Sequence, residues 1–181
     1  MMQSGPPTHI PVSSQQGMAF IEVLVALVLF SVAALGYVGL QAQSLAAVDD
    51  AVMRTQALVI LTEAAERIRT NMGWVALRTY QLQFDAATIP AMTSCTVRAG
   101  CNATQVVQND VAVLRLQAKQ QGMTLAMLGC PGRLSTTENY CLVAAWHGTQ
   151  AEYVSSEVLD GCLHLQGNYR VGSDCLYMEA Y

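Results

Sequence analysis

Residues 13–41 read SSQQGMAFIEVLVALVLFSVAALGYVGLQ, and their reading decides the architecture. From Met18 to Val48 the chain carries a single charged residue, Glu22, which follows Met18 by four positions. Val23 to Leu40 is uncharged throughout. A membrane-spanning helix needs roughly 20 consecutive apolar residues to cross a hydrocarbon core of about 30 Å. A core helix of a soluble domain would be apolar along one stripe, whereas this segment is apolar on every side. A secretory signal has a shorter apolar core, about 7–15 residues, followed by a small-x-small cleavage site. Here the run is longer, and a helical pattern continues beyond it. The stretch therefore predicts a helix that enters a membrane with a carboxylate near its start.

The rest of the composition is consistent with one modest domain attached to that segment. The chain has 181 residues, a formal net charge of −4 and 52% hydrophobic residues. Charged residues are only 12% of the chain, against about 25% in ordinary soluble domains. The weakly acidic balance and the absence of a Lys/Arg cluster leave no electrostatic footprint for duplex nucleic acid. No internal repeat is visible.

Residues 1–17 contain Gly5-Pro6-Pro7, Pro11, Ser13-Ser14 and Gln15-Gln16, with no apolar period and no helix cap, and read as an unstructured leader, 1–17, that is removed. Met18 to about Thr70 reads as one helix, with the transmembrane part at about 18–41 and the helical region extending to 72. Its second half is amphipathic, with Leu58, Leu61, Ala65, Ile68 and Met72 recurring at spacings of three and four. Glu63 and Arg67 stand four apart, a favourable exposed pair, and Asn71 and Gly73 supply the stop. At 1.5 Å per residue such a rod is about 75–80 Å long. Asp49-Asp50 reads as a solvated pair where the chain leaves the membrane.

Residues 73–181 read as a globular head. From Trp74 the pattern breaks up. A second helix is expected at Thr104–Gln121, capped by Thr104, striped by Val107, Val111, Leu114 and Ala118, and ended by Gly122. Strands are expected at Tyr140–Trp146, at Leu163–Leu165 and Tyr169–Val171 around a Gln166-Gly167-Asn168 turn, and at Leu176–Tyr181. The fold class is α+β: a small antiparallel sheet laid on the second half of the long helix.

All six cysteines, Cys95, Cys101, Cys130, Cys141, Cys162 and Cys175, lie in the second half of the chain. An even number behind an export or anchor segment reads as disulfides in an oxidising compartment. Sequence alone does not choose the pairing; nearest neighbours, 95–101, 130–141 and 162–175, is the simplest. There is no CxxC, and His147 and His164 do not fall at finger spacing, so no zinc or other metal site is expected. Both histidines read as structural positions in the sheet. No phosphate-binding loop, Ser/His/Asp signature or metal-spaced acid cluster is present, so neither a catalytic residue nor a cofactor is expected.

Glu22 is the residue that asks for a chemical reason. An acid in a membrane span costs about 2.5–3.5 kcal/mol at the centre, less near an interface. If the chain is cut after Gly17, Met18 gains a free amine four residues before Glu22. The amine and the carboxylate can then neutralise each other, within a chain or between chains, in a dry helix assembly.

The run GMAFIEVLVAL resembles the processing motif of type IV pilins: a glycine at the cut, an apolar span after it, and a glutamate as fifth residue of the mature chain. Gly17, Met18 and Glu22 match it; many relatives have Phe directly after the cut, where Met18 stands here. The segments EVLVALVLFSVAALGYVGLQAQSLAA and RTQALVILTEAAERIRTN are similar to the minor pilin family called PilV, or type IV pilus modification protein. The Gly-x-x-Gly-Leu-Gln and Glu-Arg-Ile-Arg-x-Asn elements carry that likeness, which covers about the first 72 residues.

The resemblance implies a structural subunit, not an enzyme. It implies cleavage between Gly17 and Met18 and N-methylation of Met18 by the prepilin peptidase, with Glu22 serving assembly. Its implied partners are other minor pilins, the major pilin, the inner-membrane pilus assembly machinery and a pilus-tip adhesin. The expected location is the inner membrane with the head in the periplasm, then the pilus at the cell surface, with twitching motility and adhesion as outcomes. Two rival readings share parts of the pattern. A type II secretion pseudopilin has the same front end, but often carries a dense acidic calcium loop that is missing around Asp160 and Asp174. A membrane-anchored periplasmic enzyme would need convergent polar groups that the sequence does not display.

The leader has no Lys or Arg, while Arg54, Arg67 and Arg69 follow the span, so the positive-inside rule lends no support to the orientation the family requires. Translation starting at Val12 would leave a short leader whose one positive charge is its own amine.

Overall fold

The computed structural model describes residues 18–71, 73–94, 100–131 and 139–180. The chain forms two units, divided between Val48 and Asp49. The first contains the apolar part of helix α1, which runs Met18–Thr70. No proline interrupts α1, and from Phe20 it is long and apolar enough to cross a membrane.

In the second unit the remainder of α1 is joined, among the described residues, by α2 (Trp74–Asp85), α3 (Ala103–Gln120) and five strands: β1 (Thr124–Gly129), β2 (Tyr140–Ala145), β3 (Gln150–Tyr153), β4 (Gly161–Leu163) and β5 (Cys175–Glu179). The three-stranded antiparallel sheet has the order β1-β2-β5. One of its faces packs on the helices. Leu125, Met127, Leu142, Ala144 and Trp146 meet Ile60, Leu61, Ala64 and Ile68 of α1, Tyr80 and Phe84 of α2, and Val107, Val111 and Leu114 of α3 in one core. The opposite face is covered by β3 and β4, where Val143 and Ala145 pack with Ala151, Cys162 and Leu163. The α+β class and the sheet laid on the long helix are as expected from the sequence.

Several details differ. The buried stripe of α1 is Ala57, Ile60, Leu61, Ala64, Ala65 and Ile68, whereas Leu58 is 49% exposed; Met72 lies outside the described residues. The cap of α3 is Asn102, not Thr104. Its side chain accepts from the Gln105 N–H at 2.9 Å, and the Gln105 side chain accepts from the Asn102 N–H at 3.0 Å. This reciprocal box satisfies two otherwise orphaned donors, which one threonine within the first turn does not. The far end follows expectation. Gly122 takes φ +74°, with its N–H on the Lys119 carbonyl and the Met123 N–H on the Ala118 carbonyl, a closure that needs the left-handed conformation glycine adopts freely.

Strands β1 and β3 and helix α2 were not foreseen. β3 and β4 pair in parallel, so the sheet content is not wholly antiparallel. Their close approach needs Gly161, where a Cβ would stand 2.7 Å from the Val154 nitrogen and 2.8 Å from the Tyr153 carbonyl carbon. The expected 163–171 hairpin is reduced to one bridge between Leu163 and Tyr169, closed by the His164 N–H on the Asn168 carbonyl. The last strand ends at Glu179. Neither histidine is in a strand: His164 begins that turn, and His147, at φ 49°, follows β2.

Disulfides join Cys130 to Cys141 and Cys162 to Cys175, and Cys101 is also disulfide-bonded. Cys95 lies outside the described residues. The first bond clasps the β1–β2 connection, and the second ties β4 to the start of β5.

Strand alternation identifies the backbone groups on the two free edges. The Cys130 N–H bonds Asn139 O at 2.9 Å, the Trp146 N–H bonds Asp174 O at 2.9 Å and the Ala180 N–H bonds Tyr140 O at 2.8 Å. Residues two apart in an antiparallel strand share a direction, so Leu125, Met127 and Gly129 face outward on β1, and Cys175, Tyr177 and Glu179 on β5. A tyrosine hydroxyl reaches each edge. Tyr153 donates to the Gly129 carbonyl, and the Tyr177 N–H donates to the Tyr169 hydroxyl at 3.4 Å.

Candidate assembly site

In the first unit every described side chain from Phe20 onward is exposed, including Phe20 at 71% and Leu35 at 74%. Apolar surface left in water costs about 25 cal/mol per Å², so this stretch of helix calls for lipid or other helices around it. One polar side chain in the apolar stretch is satisfied within the helix itself: the Ser31 hydroxyl donates to the Leu27 carbonyl at 2.7 Å, so that donor does not need solvent. Glu22 makes no hydrogen bond or ion pair with any described residue. Met18 opens α1, and positions four apart lie on one helix face, within about 6 Å. A charge on the Met18 nitrogen would thus share a face with the Glu22 carboxylate. Gly17 lies outside the described residues.

The second unit contains a polar junction where α1 ends. Arg67 contacts Glu63 at 2.7 Å and Asp110 of α3 at 2.7 Å. Tyr80 of α2 donates to the other Asp110 oxygen at 2.6 Å. The Asn71 amide donates to the Tyr80 hydroxyl at 3.0 Å and to Asp110 at 3.3 Å. Burial, then the hydrogen bond to Asp110, pushes the Tyr80 phenol well above the ordinary tyrosine range. The hydrogen bond to Glu63 holds the Arg67 guanidinium more firmly charged. The Glu-Arg-Ile-Arg-x-Asn run thus has a physical account: Glu66 and Arg69 pair at 2.7 Å outside, Ile68 is core, and Arg67 and Asn71 bind two other helices. Sequence reading missed Tyr80 and Asp110, and nothing in their local spacing would have paired them with Arg67.

Asp50 is paired, with Arg54 at 2.9 Å, rather than merely solvated. His147 stands 3.4 Å from Asp174 and 3.9 Å from Asp49, which joins the turn after β2 to the helix.

Two family descriptions match the chain. Residues 12–38 match the prokaryotic N-terminal methylation motif, which encloses Gly17, Met18 and Glu22. Residues 39–112 match a family described as type IV pilin Tt1218, from Gly39 into α3. No curated protein and no solved structure matches. Taken with the long helix on a small sheet, the two matches support a type IV pilin-like structural subunit. The methylation motif and the apolar helix suggest anchoring in a membrane, and imply dealings with a prepilin peptidase and pilus assembly machinery.

Proposed function

We propose that the chain is a minor pilin of the PilV kind. It helps prime a type IV pilus and is built into it at or near the tip. Residues 1–17 are the leader, about 18–41 the membrane span, and 73–181 a head held in the periplasm until assembly. The prepilin peptidase cuts between Gly17 and Met18 and methylates the new amine. Glu22 then pairs with such an amine when helices pack away from water. The observation that carries this reading is the Glu22 carboxylate, without a hydrogen bond or ion pair to any described residue, four residues into the exposed apolar part of α1 and inside the stretch that matches the methylation motif. A carboxylate there opposes insertion unless assembly supplies its counter-charge.

The test is intact-mass and N-terminal peptide analysis of the protein from membranes with and without the peptidase. The expected mature chain begins at methylated Met18, and Gly17→Trp stays uncut. A chain retaining residues 1–17 beside an active peptidase would overturn the proposal. A type II secretion pseudopilin would be processed identically; co-purification with pilus rather than secretion subunits separates the two.

A further inference from the structure

The imidazole of His147 lies between two carboxylates that are remote in sequence. Asp174 is 3.4 Å from Nδ1 and Asp49 is 3.9 Å from Nε2. Asp49 belongs to α1, at the point where the uncharged run ends. Asp174 immediately precedes β5. A neutral imidazole carries one N–H and no net charge, so it can favour one of these acids at most. The imidazolium has an N–H on both nitrogens and a full positive charge, and it suits both. This corner therefore has a use for the protonated ring that the neutral ring does not meet.

Backbone bonds fix the sheet side of the corner. The Trp146 N–H bonds Asp174 O at 2.9 Å, and the Asp174 N–H donates to the buried Thr149 hydroxyl at 2.9 Å. The Thr149 N–H closes the turn on Trp146 O at 3.0 Å. Within that turn His147 takes φ 49°, a left-handed conformation uncommon for a residue with a Cβ. Asp174 and His147 are thus held together, and Asp49 approaches them from a different element. The neighbouring charges are already engaged. Asp50 of α1 pairs with Arg54 at 2.9 Å. That hydrogen bond is the main cause that holds Arg54 more firmly charged, with Asp174 and Tyr169 adding less. Arg170 gives its guanidinium to the Gly161 and Val171 carbonyls, at 3.0 and 3.3 Å.

We propose that His147 is a pH-dependent clasp between α1 and the sheet. Protonated, it draws Asp49 of α1 onto the turn after β2. Neutral, it leaves Asp49 and Asp174 as like charges on facing elements and releases that corner, while the core beneath stays packed. Histidine is the side chain whose charge ordinarily changes between about pH 5 and 8. The clasp is therefore closed at the acid end of that range and lost as pH rises through it; the carboxylates stay charged down to about pH 4. His147, Asp49 and Asp174 are all partly exposed, which limits the contribution to a few-fold in an equilibrium constant. All three residues belong to the second unit, so the clasp does not depend on leader processing.

The test is a double-mutant cycle on the full-length protein in detergent micelles: wild type, Asp49→Asn, His147→Gln and the two combined. Urea unfolding is followed at about pH 5.5 and at about pH 8. The cycle cancels whatever either change does to the turn or the helix by itself and leaves the coupling between the two sites. At the lower pH the combined variant should be less destabilised than the product of the single effects, by about twofold or more in the unfolding equilibrium constant. At the higher pH the coupling should vanish. Asp174→Asn with His147→Gln should behave in the same way. Asp49→Asn with His164→Gln, which alters the other histidine of the head, should show no coupling at either pH. Coupling absent at the lower pH, equal at both, or shared by the His164 cycle overturns the proposal.

Discussion

Arg67 near the end of the long helix and Asp110 in the middle of α3 meet at 2.7 Å, although 43 positions separate them in sequence. The Asp110 side chain is only 14% exposed, and its second oxygen takes the Tyr80 hydroxyl. Three helices thus close on one carboxylate. Arg67→Met should cost about 1–3 kcal/mol, below the figure for a fully buried pair because the arginine is a third exposed. Arg67→Met combined with Asp110→Leu should cost less than the two single changes added together. Urea unfolding of all four proteins measures this; strict additivity would mean the contact is not energetically coupled.

The tyrosines predict an alkaline limit. Burial raises the phenols of Tyr80, Tyr153 and Tyr169 above their ordinary value. The folded state therefore holds these protons after the unfolded chain, at about pH 10, has begun to release them. Their contribution is fully present below about pH 10 and is lost as pH climbs toward the raised folded values. Stability measured from pH 8 to 11 should be level at first and then fall, and Tyr80→Phe should flatten the fall. A Tyr80→Phe profile as steep as wild type would contradict the assignment.

Gly161→Ala should be among the most damaging single-atom changes in the head. The added Cβ would press on backbone atoms of β3 under 3 Å away, and backbone cannot swing aside as a side chain can. A loss of about 1–3 kcal/mol is expected, with faster amide exchange concentrated in β3 and β4. Gly129→Ala, which meets nothing within 4 Å, is the control.

The two described disulfides close loops with sequence separations of 11 and 13, and each should contribute about 2–3 kcal/mol. Their local effects should differ. Replacing Cys162 and Cys175 by alanine should open residues 150–174 to proteolysis, because that bond ties the small layer to the main sheet. Replacing Cys130 and Cys141 should leave the layer resistant. Identical cleavage patterns would show that the layer is held by packing alone.

Glu22→Val should still insert and still be cut, since one carboxylate opposes insertion of a long apolar segment only weakly. Recovery with partner pilins should fall, because a neighbouring amine then lacks its counter-charge. Normal recovery and normal piliation would remove the pairing role from the proposal.

The long helix announces itself by an uninterrupted apolar run, and α3 by Val107, Val111, Leu114 and Ala118 at helical spacing, all buried. Around Glu22, contrast of one charge with its neighbours is itself the signal. Helix α2 was hidden because Gly73 gives it no side-chain cap, and Tyr80 and Phe84 are the buried residues marking its inner face among its described side chains. Strand β1 is apolar on both faces, a pattern that does not separate strand from helix, and β3 is too short to show alternation. The junction at Asp110 was illegible for a different reason: its members come from three helices, and only the fold makes them neighbours.

The hydroxyls of Tyr153 and Tyr169 contribute to folding no more than ordinary hydrogen bonds, about 1 kcal/mol each. Their larger effect is on what the protein avoids. An edge strand with an open row of amides and carbonyls templates the addition of foreign strands, and the hazard grows with local crowding. In the proposed setting the heads of many anchored copies share one bilayer plane and later one fibre. Each tyrosine occupies one backbone group on an edge that would otherwise offer a continuous row, so a neighbouring chain finds the row broken on both sides of the sheet. The same polypeptide can then be concentrated for ordered polymerisation through its helix while its sheet resists amyloid-like joining.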